Sequence, residues 1–126
     1  MRERAQELEN RLIDFAVRVI SVVEAMADSK AGRHIAGQLV RSGTAPAALY
    51  GEAQAAESRN DFVHKMKLCL KELRETGIWL KMIERKPLCP PDRMASITTE
   101  CNELIAIFVS SVRKATGAHQ QDGTNK

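Results

Sequence analysis

Residues 8–26 read LENRLIDFAVRVISVVEAM, and Leu8, Leu12, Phe15, Val19, Val22 and Met26 recur at alternating steps of four and three. That spacing keeps them on one face of an α-helix. Ile13, Ala16, Val17, Ile20 and Val23 widen the stripe beyond what a two-helix seam needs, which predicts a helix inside a multi-helix bundle. Arg4, Arg11, Arg18 and Glu24 keep the other side polar. Asp28, Ser29 and Gly32 then supply the turn chemistry that ends this helix and restarts the chain.

The same stepping continues outward. Ile35, Leu39, Ser42, Pro46, Leu49, Ala53 and Ala56 outline a second helix. A kink is expected near Pro46, because proline removes an intrahelical donor and clashes with the preceding turn. The small residues from Gly43 through Ala48 favour close approach by a neighbour. Ser58 followed by Asp61 has the form of an N-cap with an acid in the first turn. It opens a third helix to about Lys86, with Phe62, Met66, Cys69, Leu73, Thr76, Leu80 and Ile83 as its core stripe. Pro87, Pro90 and Pro91 end it. A fourth helix is expected from Pro91 or Asp92, burying Met94, Ile97, Cys101, Leu104, Phe108 and Val112 and stopping at Gly117. No stretch alternates as a strand would. The fold predicted is all-α, an antiparallel up-down-up-down four-helix bundle over residues 1–117, with a disordered polar tail over 118–126.

A chain of 126 residues has the length of one domain. Hydrophobic residues at 44% and charged residues at 28% give it enough apolar side chains for a core, which must be aliphatic because aromatics contribute only 4%. The net charge of +3 is mildly basic and permits an acidic partner without requiring one. Cys69, Cys89 and Cys101 show no zinc-binding spacing and read as reduced thiols of a cytoplasmic protein. The polar N-terminus lacks a secretory pattern. The longest strongly apolar uncharged run, Leu104 to Val112, is far short of the ~20 residues that span a bilayer. No membrane association is expected.

Residues able to carry chemistry are few. His34, His64 and His119 share no metal-binding spacing, and Asp61 with His64 one turn apart reads as a helix-terminus contact rather than a catalytic dyad. Glu52, Glu57, Glu72, Glu75, Glu100 and Glu103 lack the Glu-x-x-His pairs of a di-iron bundle. There is no phosphate loop or nucleophile elbow. No catalytic residue, metal or cofactor is therefore expected. Instead, His64, Lys67, Lys71, Arg74, Lys81 and Arg85 follow the helical stepping and form a basic stripe on helix three, interrupted only by Ile78. Such a row is either a solvated face or a track for RNA or DNA phosphates, which need aligned cations and little else. With one tryptophan and one tyrosine, base stacking is poorly supplied. Leu68, Ile78, Trp79 and Met82 project from the side of helix three opposite its core stripe, and four large apolar residues there predict a subunit interface in a homo-oligomer.

A resemblance adds to this reading. Gln38-Leu39-Val40-Arg41-Ser42, Tyr50-Gly51-Glu52-Ala53, Ala56-Glu57-Ser58-Arg59-Asn60-Asp61-Phe62, Lys65, Lys71-Glu72-Leu73-Arg74-Glu75-Thr76 and Trp79-Leu80 resemble the four-helix bundle proteins encoded in intervening sequences of bacterial 23S ribosomal RNA genes. The match is closest over helices two and three, where Gly43-Thr44-Ala45 and Pro46 fit the family's small-residue segment. Arg41, Ser42, Glu52, Ser58, Asp61, Lys65, Glu72 and Glu75 match its motif as polar residues flanking packed faces. The resemblance implies a cytoplasmic bacterial bundle that assembles as a homopentamer and has no established enzymatic role. In fold and assembly it is also similar to accessory proteins of diversity-generating retroelements, whose basic barrels bind nucleic acid and a reverse transcriptase. The expectation is a non-enzymatic oligomer binding RNA or DNA through its basic stripe. The rivals are an adaptor that recruits a protein partner and, third, an enzyme whose site lies between subunits.

Overall fold

Ser58, placed at the start of the third helix, and Ser29, read as part of the turn before the second, are both N-caps: the Ser29 hydroxyl accepts from the Gly32 N–H at 3.0 Å and the Ser58 hydroxyl from the Asp61 N–H at 3.0 Å. The computed structural model describes the backbone of residues 2–124 and the side chains of residues 3–117. Its elements are α1 (Arg2–Glu24), α2 (Lys30–Gln54), α3 (Arg59–Arg85), the single turn α4 (Pro91–Met94) and α5 (Ile97–Thr124). There is no strand among the described residues. The four long helices form the four-helix bundle that the periodicity predicts.

Contacts run in reversed order along each pair of neighbours, which makes the pairs antiparallel. On α2 and α3, Ser42 meets Thr76, Pro46 meets Cys69 and Glu52 meets Lys65. On α3 and α5, Glu84 meets Thr98 and Arg59 meets Ala115. The core between them is aliphatic, with Leu12, Val19, Leu39, Leu73, Leu80, Ile83, Ile97 and Leu104 almost fully buried. Tyr50 and Phe108 cross it as an edge-to-face pair with ring centroids 5.9 Å apart. All seven positions of the α3 core stripe lie in or against this core.

Helix α2 continues through Pro46 from Lys30 to Gln54, with Pro46 buried and its carbonyl accepting from the Cys69 thiol at 3.6 Å. Two features of the backbone depart from expectation. The expected fourth helix is instead two pieces. Ala95 is extended and Ser96 adopts the left-handed φ of 68°, costly for a residue with a Cβ, before α5 begins. The Ser96 hydroxyl accepts from Arg18 Nη2 at 2.6 Å and its carbonyl from the Glu100 N–H at 2.9 Å, so side chain and backbone both hold the break. Finally, α5 continues through Gly117 to Thr124, since an isolated glycine costs only about 1 kcal/mol in a helix and nothing after it breaks the turn. The disordered tail expected over 118–126 falls where the side chains lie outside the described residues.

One correction concerns α1. Leu12, Phe15, Val19 and Val22 are buried and Ala16 nearly so, but Ile13, Val17 and Ile20 are 45%, 56% and 40% exposed. They lie on a flank that neither α2 nor α5 covers. The apolar stripe of α1 is therefore wider than the core it serves.

Packing of α1 on α2 is set by one close approach. A Cβ built on Gly43 would lie 2.7 Å and 2.8 Å from the two Cγ atoms of Val19, a buried β-branched side chain with little rotamer freedom. On the open face of the same helix, a Cβ on Gly37 meets nothing within 4 Å. Gly43→Ala should destabilise the fold by about 2 kcal/mol as overpacking outweighs the gain in helix propensity. Gly37→Ala should stabilise it by about 0.5–1 kcal/mol. Urea unfolding of the two variants checks this, and equal midpoints would contradict the assigned contact.

Candidate nucleic-acid interface

The charge on α3 is largely sorted by flank, the exception being Glu84, which accepts from the Thr98 hydroxyl of α5 at 3.2 Å. The carboxylates Glu72 and Glu75 face α2, where Arg41 bonds both, Glu72 at 3.1 Å. Glu75 also accepts from Trp79 Nε1 at 3.0 Å. Other acids are taken up in the same way: Glu100 and Glu103 by Arg11, each at 2.7 Å, Glu52 by Lys65 at 2.7 Å and Asp28 by Arg33 at 2.7 Å. The hydrogen bond to Glu100, before any other influence, pushes the Arg11 guanidinium up, and the one to Glu52 does the same for the Lys65 ammonium. All of these pairs except Asp28–Arg33, which ties the start of α2 to the turn before it, bridge helices at the bundle surface.

Opposite the α2 flank, on the side of α3 toward α5, stand His64, Lys67, Lys71, Arg74, Lys81 and Arg85. All six are exposed, and none is in an ion pair among the described residues. At 1.5 Å per residue the row is about 32 Å long, with successive cations about 4.5 or 6 Å apart along the axis except across Ile78. A rigid helix thus displays them in line. At the N-terminal end of the row an open cleft of about 490 Å³ is lined by Arg59, Asn60, Val63, His64 and Lys67 from α3 and by Ala115 and Thr116 from α5. A second cleft of about 650 Å³ separates α1 from α5, which touch far less than the other neighbouring pairs.

The outer apolar group of α3 is only partly as expected. Ile78 and Met82 stand clear, 50% and 43% exposed. Leu68 and Trp79 are half-buried, and Trp79 leans on α2: its ring meets His34 edge-on with centroids 6.2 Å apart, and its N–H is held by Glu75. The expectation that all four are wet on a lone bundle is thereby corrected for Leu68 and Trp79. The exposed Ile13, Val17 and Ile20 on α1, which the periodicity assigned to the core, are the apolar surface that sequence reasoning missed. Their own spacing, which sets Ile13, Val17 and Ile20 together on one flank of the stripe, was the available signal.

Catalytic chemistry finds little to work with. Burial pushes the Cys69 and Cys101 thiols up to about 12 and the Cys89 thiol upward as well, so none is a thiolate at neutral pH. Cys101 hydrogen-bonds the Leu73 carbonyl at 3.4 Å, a packing role. Among the described residues, no three His, Cys, Asp or Glu side chains are grouped to hold a metal. No helix there is long and apolar enough to cross a membrane. What the arrangement offers is a row of solvent-facing cations on a stiff support.

Comparison with known proteins agrees with the fold. The chain is similar to a crystal structure of a protein with unknown function from the S23 ribosomal protein family of Bacteroides thetaiotaomicron VPI-5482, with 28% identity and a TM-score of 0.78. The similarity covers 86% of this chain and 97% of that one. No curated protein matches. The family model described as 23S rRNA-intervening sequence protein matches residues 5–110. Neither description names an enzymatic activity. With that match spanning helices α1 to α5, the chain belongs to the 23S rRNA-intervening sequence protein family.

Proposed function

We propose that the protein is a non-enzymatic, cytoplasmic, homo-oligomeric bundle that binds RNA or DNA by its phosphate backbone, through His64, Lys67, Lys71, Arg74, Lys81 and Arg85. The observation that carries this reading is the row itself: Arg41 takes up Glu72 and Glu75 on one flank of α3, while the six basic residues of the other flank are exposed and form no ion pair among the described residues. Aligned cations on a rigid helix meet successive phosphates without reading bases, so binding is electrostatic and tolerant of sequence.

The oligomer rests on the exposed apolar residues. Helices α1 and α3 are diagonal in the bundle, each packed on α2, so Ile13, Val17 and Ile20 lie on the opposite side from Ile78 and Met82. Two different patches on opposite sides favour a head-to-tail contact, which closes into a ring when the rotation permits. A pentamer, the assembly implied by the family resemblance, is such a ring. It would bring the α3 rows of several copies into one assembly and multiply the contacts available to one strand. The rival use of these apolar residues is to recruit a different protein, in which case the purified chain stays a monomer.

Two measurements test the reading. Replacing Lys67, Lys71 and Arg74 with glutamate should leave the circular dichroism spectrum unchanged and weaken binding to a labelled RNA or DNA oligomer at least about 100-fold. Unaltered affinity would refute the assigned surface. Light scattering of the wild-type chain should return several times the 14.0 kDa protomer mass, and Val17→Glu should lower it by placing a charge in the contact. A monomer mass for the wild type would overturn the oligomer.

A further inference from the structure

The cleft at the N-terminal end of the basic row differs in shape from the row itself. Along α3 the cations stand on a convex surface and each can meet one phosphate from one side. In the cleft, Arg59, His64 and Lys67 line one concave space of about 490 Å³, together with Asn60, the apolar Val63 and two small residues of α5. Among the described residues no carboxylate lines it. Asp61 is next in sequence, but it is absent from the cleft wall. The Arg59 guanidinium is already positioned, because its Nη2 donates to the Ala115 carbonyl at 3.1 Å across the α3–α5 gap. That single bond leaves most of its five N–H donors for a ligand. His64 and Lys67 belong to both cleft and row, so the two are continuous.

Several donors in one concavity suit an anion with more charge and more terminal oxygens than an internal phosphodiester. A phosphate monoester is that anion: it carries close to two charges at neutral pH and three acceptor oxygens, against one charge and two terminal oxygens in the diester. Building on the nucleic-acid reading above, we propose that this cleft binds the terminal phosphomonoester of a nucleic-acid strand, with Arg59, His64, Lys67 and Asn60 as its ligands. The internal phosphates of the strand then follow the row from Lys71 toward Arg85. The protein on this account distinguishes a strand by the chemistry of its end rather than by its bases.

The test uses the full chain and three otherwise identical single-stranded oligonucleotides, ended by hydroxyls, by a 5′-phosphate or by a 3′-phosphate, with binding read by fluorescence anisotropy. One of the phosphorylated strands should bind roughly tenfold tighter than the hydroxyl-ended one, the size expected for one added charge-assisted contact. Which strand gains assigns the end. Arg59→Ala should remove that gain while leaving the hydroxyl-ended strand within about twofold of wild type, and Arg59→Lys should keep part of it. Equal affinity for all three strands overturns the inference and leaves the backbone reading standing. If no strand binds, the backbone reading fails instead, and uridine 5′-monophosphate decides the cleft alone. Saturable NMR shifts at Asn60 and His64 that are lost in Arg59→Ala support the site, and their absence at millimolar ligand overturns it.

Discussion

The close seating of α2 between α1 and α3 is the constraint on which the other features depend. On one side Gly43 lets Val19 approach to the limit of contact. On the other, the buried hydroxyls of Ser42 and Thr76 share a hydrogen bond of 2.9 Å while Thr76 also bonds the Glu72 carbonyl at 2.8 Å. A hydroxyl carries one proton, so if Thr76 gives its own to Glu72 it receives that of Ser42, and the pair is satisfied only in this register. No buried side-chain nitrogen or oxygen among the described residues lacks a partner. With the register fixed, Arg41 can only reach Glu72 and Glu75, and Trp79 can only turn toward His34. Glu72 and Glu75 are thus used on one flank, and the row on the other flank forms no ion pair among the described residues, Glu84 beside it bonding Thr98 instead.

Much of this was legible in the residues because local chemistry decided it. The serine cap of α3 needs only a hydroxyl and a free N–H nearby, and Ser58 is where the sequence puts it, while Ser29, read only as turn chemistry, caps α2 in the same way. The core stripe of α3 follows from its three-four spacing alone. What could not be read is whatever depends on a neighbour. The break at Ser96 has no glycine or proline to announce it, and it is held by Arg18 from another helix. The width of the apolar stripe on α1 says that the residues avoid water, not which neighbour covers them, so Ile13, Val17 and Ile20 were assigned to a core that does not reach them. Trp79 looked free because its partner His34 is 45 positions away along the chain. Of the site, the six basic positions share one exposed flank as their spacing requires. The cleft beside them is formed with α5 and has no signature in α3 alone.

Surface chemistry and core chemistry are kept apart in this bundle. The three cysteines are buried, six acids are held in ion pairs, and the large apolar side chains left exposed among the described residues stand on the outer faces of α1 and α3. Ile78 interrupts the basic row and Met82 lies one turn further on, so the apolar face of α3 borders the charged one. In an assembly the covered surface and the nucleic-acid surface would adjoin. Such an arrangement would couple self-association to ligand affinity without any change of shape in the protomer.

The central claim is that the open cations of α3 act as a phosphate track, and the salt dependence of binding tests it most directly. Each neutralised phosphate releases condensed counterions, so log K falls against log salt with a slope of about −0.7 per contact on a single strand. Five lysine and arginine side chains in the row predict a slope of about −3.5 for one protomer, and a steeper one if an assembly presents several rows. A slope near zero, or no binding to RNA or DNA at low salt, would contradict the claim and leave the row as a solvated face.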